Sequence, residues 1–212
     1  HTRYISVTGV QTCALPIWGA HCYRDSGMMG TPPNDRPDSF WQSDLLQAAR
    51  HLVAVIREIR PQVLVTYDDF GGYGHPDHIK AHRVAMYAMT LASAPSFAPE
   101  LGQAWDIAKV YWTAFPRSVV VAGIAALRAL GDESDFATQN PDDLPFVCPD
   151  VWVTTAVHSI EYVDRKVAAM RAHATQISME DGFFALSNNM GSQVMATEYF
   201  RLVRGQAAGP QI

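Results

Sequence analysis

The feature that most constrains the fold is a change of pattern between residues 63 and 79. Val63-Leu64-Val65-Thr66-Tyr67 is a β-branched apolar run, Gly71-Gly72-Tyr73-Gly74-His75-Pro76-Asp77-His78 is glycine-rich, and helical spacing opens at Ile79. Strand, tight turn and amphipathic helix in that order form the repeating step of α/β architectures. Ligands in open α/β sheets bind outside the carboxyl ends of the strands. Two histidines, an aspartate and a tyrosine crowd into this one turn, in the place where such a sheet would use them.

The flanking segments extend the pattern. Asp38 or Ser39 can cap a helix from Phe40 to Ile59, where Leu45, Leu46, Ala49, Leu52, Val53, Ile56 and Ile59 repeat at helical spacing. Pro61 ends it, and Gln62 to Tyr67 follows as a buried strand, an order that suggests a parallel sheet. Past the glycine turn, Ile79 to Ala92 reads as a helix offering Val84, Met86, Tyr87 and Leu91 to a core. Further strands are expected at Lys109 to Thr113 and Val151 to Val157. Helices are expected at Val119 to Leu130, stopped by Gly131, and at Ile160 to Ala174, with the stripe Ile160, Val163, Val167, Met170. Asp132 to Asp150 reads as an acidic surface excursion, and Thr197 to Val203 as strand or short helix. Arg24 to Pro33 is a loop by its glycines and prolines; its Met28 and Met29 either fill the core or line a pocket.

At 212 residues, 17% of them charged, the chain suits a single α/β domain. A net charge of -5 gives no electrostatic footprint for nucleic acid or anionic lipid. No apolar run approaches the roughly 20 residues of a membrane-spanning helix. Three cysteines without paired spacing argue against a disulfide framework. A cytoplasmic protein without nucleic-acid or membrane partners is the expectation.

Val7-Thr8-Gly9-Val10-Gln11-Thr12-Cys13-Ala14-Leu15-Pro16-Ile17 resembles one translated frame of a common sequencing-library adapter. Residues 1–18 are therefore set aside as non-native, with 19–212 as one domain lacking its first strands. A native strand over Tyr4 to Val10 is the alternative.

The residue types in the central turn define its chemistry. A neutral imidazole ligates zinc and other divalent metals, and a second imidazole can shuttle protons. An aspartate hydrogen-bonded to a histidine fixes its tautomer. The glycines let the backbone approach a ligand closely, and Tyr73 could donate its hydroxyl to a developing oxyanion. Pro76 suits the first helical turn. His78 and His82 are spaced i, i+4, a geometry that can bind metal, yet without the intervening glutamate of the zinc-protease motif. His82 is read instead as packing against the sheet or supporting His78. His51 and His158 have no constellation around them.

Val65-Thr66-Tyr67-Asp68 followed by Gly71 to His78 resembles the second motif of the LmbE-like (PIG-L) zinc deacetylases. Within that superfamily, Tyr23-Arg24-Asp25-Ser26-Gly27-Met28 is similar to the mycothiol-pathway branch. So are Val110-Tyr111-Trp112-Thr113, Ala172-His173-Ala174-Thr175-Gln176 and Leu186-Ser187-Asn188-Asn189. The resemblance runs from about Tyr23 to Arg204. It implies a Rossmann-like fold, a mostly parallel sheet with helices on both faces.

The resemblance also implies zinc-dependent removal of acetyl from N-acetylglucosaminyl-inositol, a small amino-sugar inositol. It makes His78 a metal ligand, His75 the general acid for the leaving amine, Asp77 its orienting carboxylate and Tyr73 the oxyanion donor. Asp25 matches a residue that binds sugar or inositol hydroxyls; Met28 and Asn188 match pocket-lining positions, and Phe146 matches more loosely. Gly74 and the Ser-Asn-Asn run favour the deacetylase over the related mycothiol S-conjugate amidase, which tends to carry proline at the Gly74 position. The family's first motif, His-Pro-Asp-Asp, supplies two zinc ligands and the general base, and this sequence does not contain it. The chain alone is therefore expected to be inactive. A non-catalytic sugar-binding or metal-binding domain is the reading from another class.

Overall fold

The computed structural model describes residues 23–173, 187–188 and 191–206. The adapter-like segment, Cys22, Ala174-Thr175-Gln176, Leu186 and Asn189 lie outside them. The chain divides into two compact units. The first is His1–Trp112 with Val203–Gln206; the second is Thr113–Leu202 with Ala207–Ile212.

In the first unit, helix α1 (Leu45–Ile59) starts five residues later than its periodicity predicts. Asp44, rather than Asp38 or Ser39, caps it by accepting from the Gln47 N–H at 2.7 Å. Asp38 is occupied by ion pairs with Arg24 and Arg36, and Ser39 bridges to Arg24. Strand β1 (Val63–Thr66) pairs in parallel with the first half of β2 (Lys109–Pro116), in the register Val63↔Lys109 to Thr66↔Trp112. β1 is not the buried strand expected: Val63 and Val65 are 45% and 52% exposed. Their alternation with half-buried Leu64 and Thr66 leaves one face of the strand open.

Helix α2 (Pro76–Ser93) begins on the glycine turn itself, three residues before the expected start. Ala48, Ala49, Val53 and Ile56 of α1 pack with Val84, Ala88, Met89 and Ala92 of α2. Phe40, Ile107 and Val110 complete that core. Leu46, Ile59 and Tyr87, all candidates for burial by spacing, lie on its exposed rim.

In the second unit, helix α3 (Arg117–Ala129) puts Val120 and Ile124 against Leu144, Phe136, Phe146 and Val147. The acidic excursion is more ordered than expected. It holds a helical turn at Asp135–Thr138 and the short strand β3 (Val147–Cys148), which is parallel to the end of β2. Strand β4 (Thr155–His158) pairs antiparallel with β5 (Thr197–Arg204), so the pairing is mixed rather than wholly parallel. Residues 151–154 do not join the strand, because Asp150–Trp152 forms a 3-10 turn. Helix α4 (Val163–Ala172) buries only Val163 of its expected stripe, and Ile160 is 63% exposed.

An α/β chain with parallel pairing after β1 is thus what the strand-turn-helix pattern indicates. Among the described residues, no helix is long and apolar enough to cross a membrane.

Candidate functional site

The site is built where β1 turns into α2. Gly71 N–H donates to the Asp68 carbonyl at 3.0 Å, and Gly72 N–H to the Asp68 carboxylate at 2.7 Å. Gly71 has φ 69°, and a Cβ there would lie 2.5 Å from the Ile79 nitrogen and 2.8 Å from the His78 Cβ. Only glycine allows the turn to close this tightly on the first turn of α2. The glycine-rich loop is a tight turn over Gly71–Gly74, with Gly72 (φ 75°, ψ −79°) and Tyr73 (φ −115°, ψ 18°) outside helical geometry, and His75 in extended conformation joins it to α2.

His75 stands at the N-cap of α2, and its Nδ1 accepts from the Asp77 N–H at 3.1 Å. An Nδ1 that accepts leaves the ring proton on Nε2, so neutral His75 presents a donor outward. His78 has the opposite arrangement. Its Nδ1 faces the Gly71 carbonyl at 3.2 Å, and a carbonyl can only accept. Nδ1 of His78 therefore carries the proton and Nε2 keeps its lone pair, the tautomer a metal ligand needs. The ring stacks on Tyr67, with centroids 4.2 Å apart and planes 4° from parallel. Tyr73 meets the same ring edge-on at 5.0 Å, and His75 lies 4.9 Å away. Burial, followed by the charge of His75, lowers the His78 pKa, so the neutral form is favoured.

Asp77 is 4% exposed, and its partner is not the one expected. Its carboxylate accepts from the Ser26 N–H at 3.1 Å and from the Ser26 hydroxyl. The hydrogen bond to the His75 ring comes instead from the Asp77 backbone. Ser26 engages both oxygens, while a carboxylate oxygen of Asp77 also lies within 4.8 Å of a His75 ring nitrogen. Burial is the largest influence on Asp77 and raises its pKa, while the Ser26 hydrogen bonds and His75 oppose that shift. Ligand atoms of Asp25, His75 and Asp77 all lie within 4.8 Å of one another, a group that could hold a metal ion. His78 is not in that group.

The Arg24–Pro33 segment brings Asp25 to this cluster. Asp25 is exposed, and its Oδ1 accepts from the Gly27 N–H at 2.7 Å. Met28 is 49% exposed on the same loop rather than core filler, and Tyr73 is 47% exposed. His82 is structural, as its neighbours indicate. Its Nδ1 bonds the Tyr67 carbonyl at 2.9 Å, and the ring meets Trp112 edge-on at 4.9 Å. Asn188 is exposed and belongs to the second unit, where Phe146 packs with Phe115 at 5.4 Å.

Sequence reasoning assigns no role to Ser26, Asn34, Tyr67 or Lys80. Ser26 and Tyr67 lie inside the quoted motifs, so adjacency to Asp25 and to the glycine turn was the available signal. Lys80 carries none, because its carbonyl partners Trp41 and Ser43 are distant in sequence, while Asn34 bonds locally to Ser26, Met28 and Gly30 within its own loop.

The PIG-L family, described as GlcNAc-PI de-N-acetylase, matches residues 7–89. The match begins inside the segment set aside as adapter-like. A 1D-myo-inositol 2-acetamido-2-deoxy-alpha-D-glucopyranoside deacetylase of Geodermatophilus obscurus is 62% identical over 191 residues, 90% of this chain and 65% of its own length. One of Catenulispora acidiphila, numbered 1 in its name, is 59% identical over 91% of this chain and 60% of its own length. A protein of the same enzyme name from Streptomyces avermitilis is 53% identical over 92% of this chain and 67% of its own. The chain spans less than two thirds of the length of the first two. Identity at this level over so much of the chain, with the turn and its histidines in place, makes it a member of the PIG-L family of de-N-acetylases.

Proposed function

We propose that these residues form the acid and oxyanion side of a zinc-dependent deacetylase that removes acetyl from N-acetylglucosaminyl-inositol. The observation that carries this reading is the opposed pair of tautomers: His75 offers a proton at Nε2, and His78 offers a lone pair at Nε2. Two histidines with the same hydrogen-bond pattern would do one job; these are set for two. His78 fits a metal, since its second nitrogen is anchored by a carbonyl and its ring is clamped by Tyr67. Zinc supplies Lewis-acid chemistry when bound, and His78 is one of the three protein ligands such a site takes. Nε2–H of His75 is placed to protonate the leaving amine. The Tyr73 hydroxyl can donate to the acetyl carbonyl oxygen as charge develops there. Asp25 and Met28 are assigned to the sugar-inositol, Asp25 keeping one carboxylate oxygen beyond its bond to Gly27. The part of Asn188 rests on its motif match alone.

This assignment gives the described residues one metal ligand and no general base, and because the sequence lacks the His-Pro-Asp-Asp motif the proposal includes that the 212-residue chain by itself turns over no substrate. Reading the genomic DNA upstream of Gly19 tests the boundary near residue 18; an unbroken native frame through residues 1–18 would refute the adapter assignment. A cytoplasmic location is part of this reading by default, from three cysteines without paired spacing, rather than from any signal.

The amidase reading is disfavoured by Gly74, whose φ is 88°. Proline holds φ near −65°, so the turn seen here would have to be rebuilt to accept it. The deciding experiment is zinc analysis and turnover in the full-length protein with each histidine replaced. Loss of zinc from His75→Ala rather than His78→Ala would reverse the assignment.

A further inference from the structure

We propose that Ser26 is a positioning residue that joins the substrate loop to the catalytic helix, holding Asp25 and Met28 in register with His75. The inference rests on the deacetylase reading above, which supplies the roles of those three residues. Asp77 occupies the first turn of α2, where a carboxylate ordinarily satisfies N–H groups of its own helix. This one reaches 51 residues back in sequence and gives both oxygens to Ser26, one to the peptide N–H and one to the hydroxyl. Ser26 is fully buried. Water therefore cannot replace either bond, and losing one leaves a buried acceptor short of a donor.

The hydroxyl is also aimed. Ser26 Oγ accepts from the Trp41 N–H at 2.9 Å, so its own hydrogen is directed at Asp77. The loop around it is braced as one piece. Asn34 donates through Nδ2 to the carbonyls of Ser26 and Met28, and its Oδ1 accepts from the Gly30 N–H at 2.7 Å. Thr31 Oγ1 adds a bond to the Met28 carbonyl at 2.7 Å. One turn further along α2, Lys80 Nζ donates to the carbonyls of Ser43 and Trp41, tying down the far end of the same segment. The residue beside Ser26 is Asp25, and the residue two before Asp77 is His75. The joint thus sits between the group assigned to the substrate and the group assigned to the proton. A hydrogen bond with only a folding role would have no reason to fall there.

The test is steady-state kinetics on N-acetylglucosaminyl-inositol, with amide hydrogen exchange, in the full-length protein carrying Ser26→Ala or Asp77→Asn. Ser26→Ala should raise KM about tenfold, the effect of a lost hydrogen bond to a charged group, and leave kcat within about threefold. Exchange should quicken at residues 25–34 and stay unchanged in α1. Asp77→Asn should raise KM likewise and lower kcat as well, because it also removes the charge beside His75. A Ser26→Ala protein with unchanged KM, or with unchanged exchange in residues 25–34, overturns the proposal, even if its melting temperature falls. Should Asp77→Asn fail to fold, Ser26→Ala decides alone. Wild-type protein without turnover on this substrate would instead sink the deacetylase reading. The exchange comparison would then decide the joint, faster exchange in the loop supporting it and unchanged exchange overturning it.

Discussion

His75 and His78 are three residues apart at the start of one helix, yet they expose opposite faces of the same chemistry. The difference comes from two backbone groups: the Asp77 N–H, which must be accepted, and the Gly71 carbonyl, which must be donated to. Replacing His78 by alanine should abolish zinc binding, measured as metal content of the purified full-length protein. His75→Ala should keep the metal and lose about 10²–10⁴-fold in kcat, as for a general acid. A His75→Ala protein that also loses zinc would show that both rings are ligands. Gly71 carries the second residue-scale prediction. With its φ in the left-handed region and a Cβ 2.5 Å from the Ile79 nitrogen, Gly71→Ala must push the turn away from α2. It should destabilise the fold by about 1–3 kcal/mol and weaken zinc binding, because the Gly71 carbonyl that orients His78 moves with it. Denaturant unfolding and metal titration read the two effects separately. The histidines, Asp77 and Tyr73 could be picked out from the sequence because they are packed into one turn. The Ser26–Asp77 bond could not, since no local pattern predicts which of two neighbours a buried carboxylate will face.

At the scale of elements, helices with continuous 3.6-residue apolar spacing were legible, and the strands less so. Ala49, Val53 and Ile56 of α1 are buried as their spacing indicates, each large side chain contributing about 1.5–3 kcal/mol. Helix starts were misplaced where polar side chains had other partners, as with Asp38. The strand at β1 looked buried because Val63 and Val65 are apolar, but apolar type does not settle which face a neighbouring element covers. Arg57 lies among the apolar positions of α1 and is 4% exposed. Its guanidinium donates to the carbonyls of Ala92, Ala98, Gly102, Leu91 and Ala94, at distances from 2.8 to 3.3 Å. These include the last carbonyls of α2, so one side chain of α1 finishes the other helix. Arg57→Ala should cost about 3–5 kcal/mol by leaving several buried carbonyls unpaired. Arg57→Lys should recover less than half of that, because an ammonium cannot reproduce the planar fork. Urea unfolding of the two variants checks this, and a loss under about 1 kcal/mol for the alanine variant would contradict the account.

At the scale of the whole molecule, the question is which amide the site accepts. Both candidate substrates carry a glucosaminyl-inositol and differ in what is attached to its nitrogen, an acetyl group or a larger acyl chain. Discrimination between them falls to the groups around the scissile bond rather than to the loop that carries Asp25. On the proposed assignment those groups are Tyr73, His75 and the glycine turn. The turn is closed by Phe70, whose ring lies 2.9 Å from where a Gly74 Cβ would be. Phe70 and Tyr73 are each nearly half exposed, Tyr73 edge-on to both histidines and Phe70 against Gly74, so the proposed site would meet an acyl group with two aromatic rings. On the deacetylase reading, an acetyl methyl would fit against these rings and a longer acyl chain would have to displace one of them. The full-length protein should therefore favour N-acetylglucosaminyl-inositol over a mycothiol S-conjugate by at least about tenfold in kcat/KM, the scale of steric selection in a small apolar pocket. Phe70→Ala should narrow the ratio by admitting the larger acyl group while leaving zinc content unchanged. Equal kcat/KM for the two amides in the wild type would place the discrimination elsewhere. A ratio unmoved by Phe70→Ala would exclude the ring as the wall that provides it.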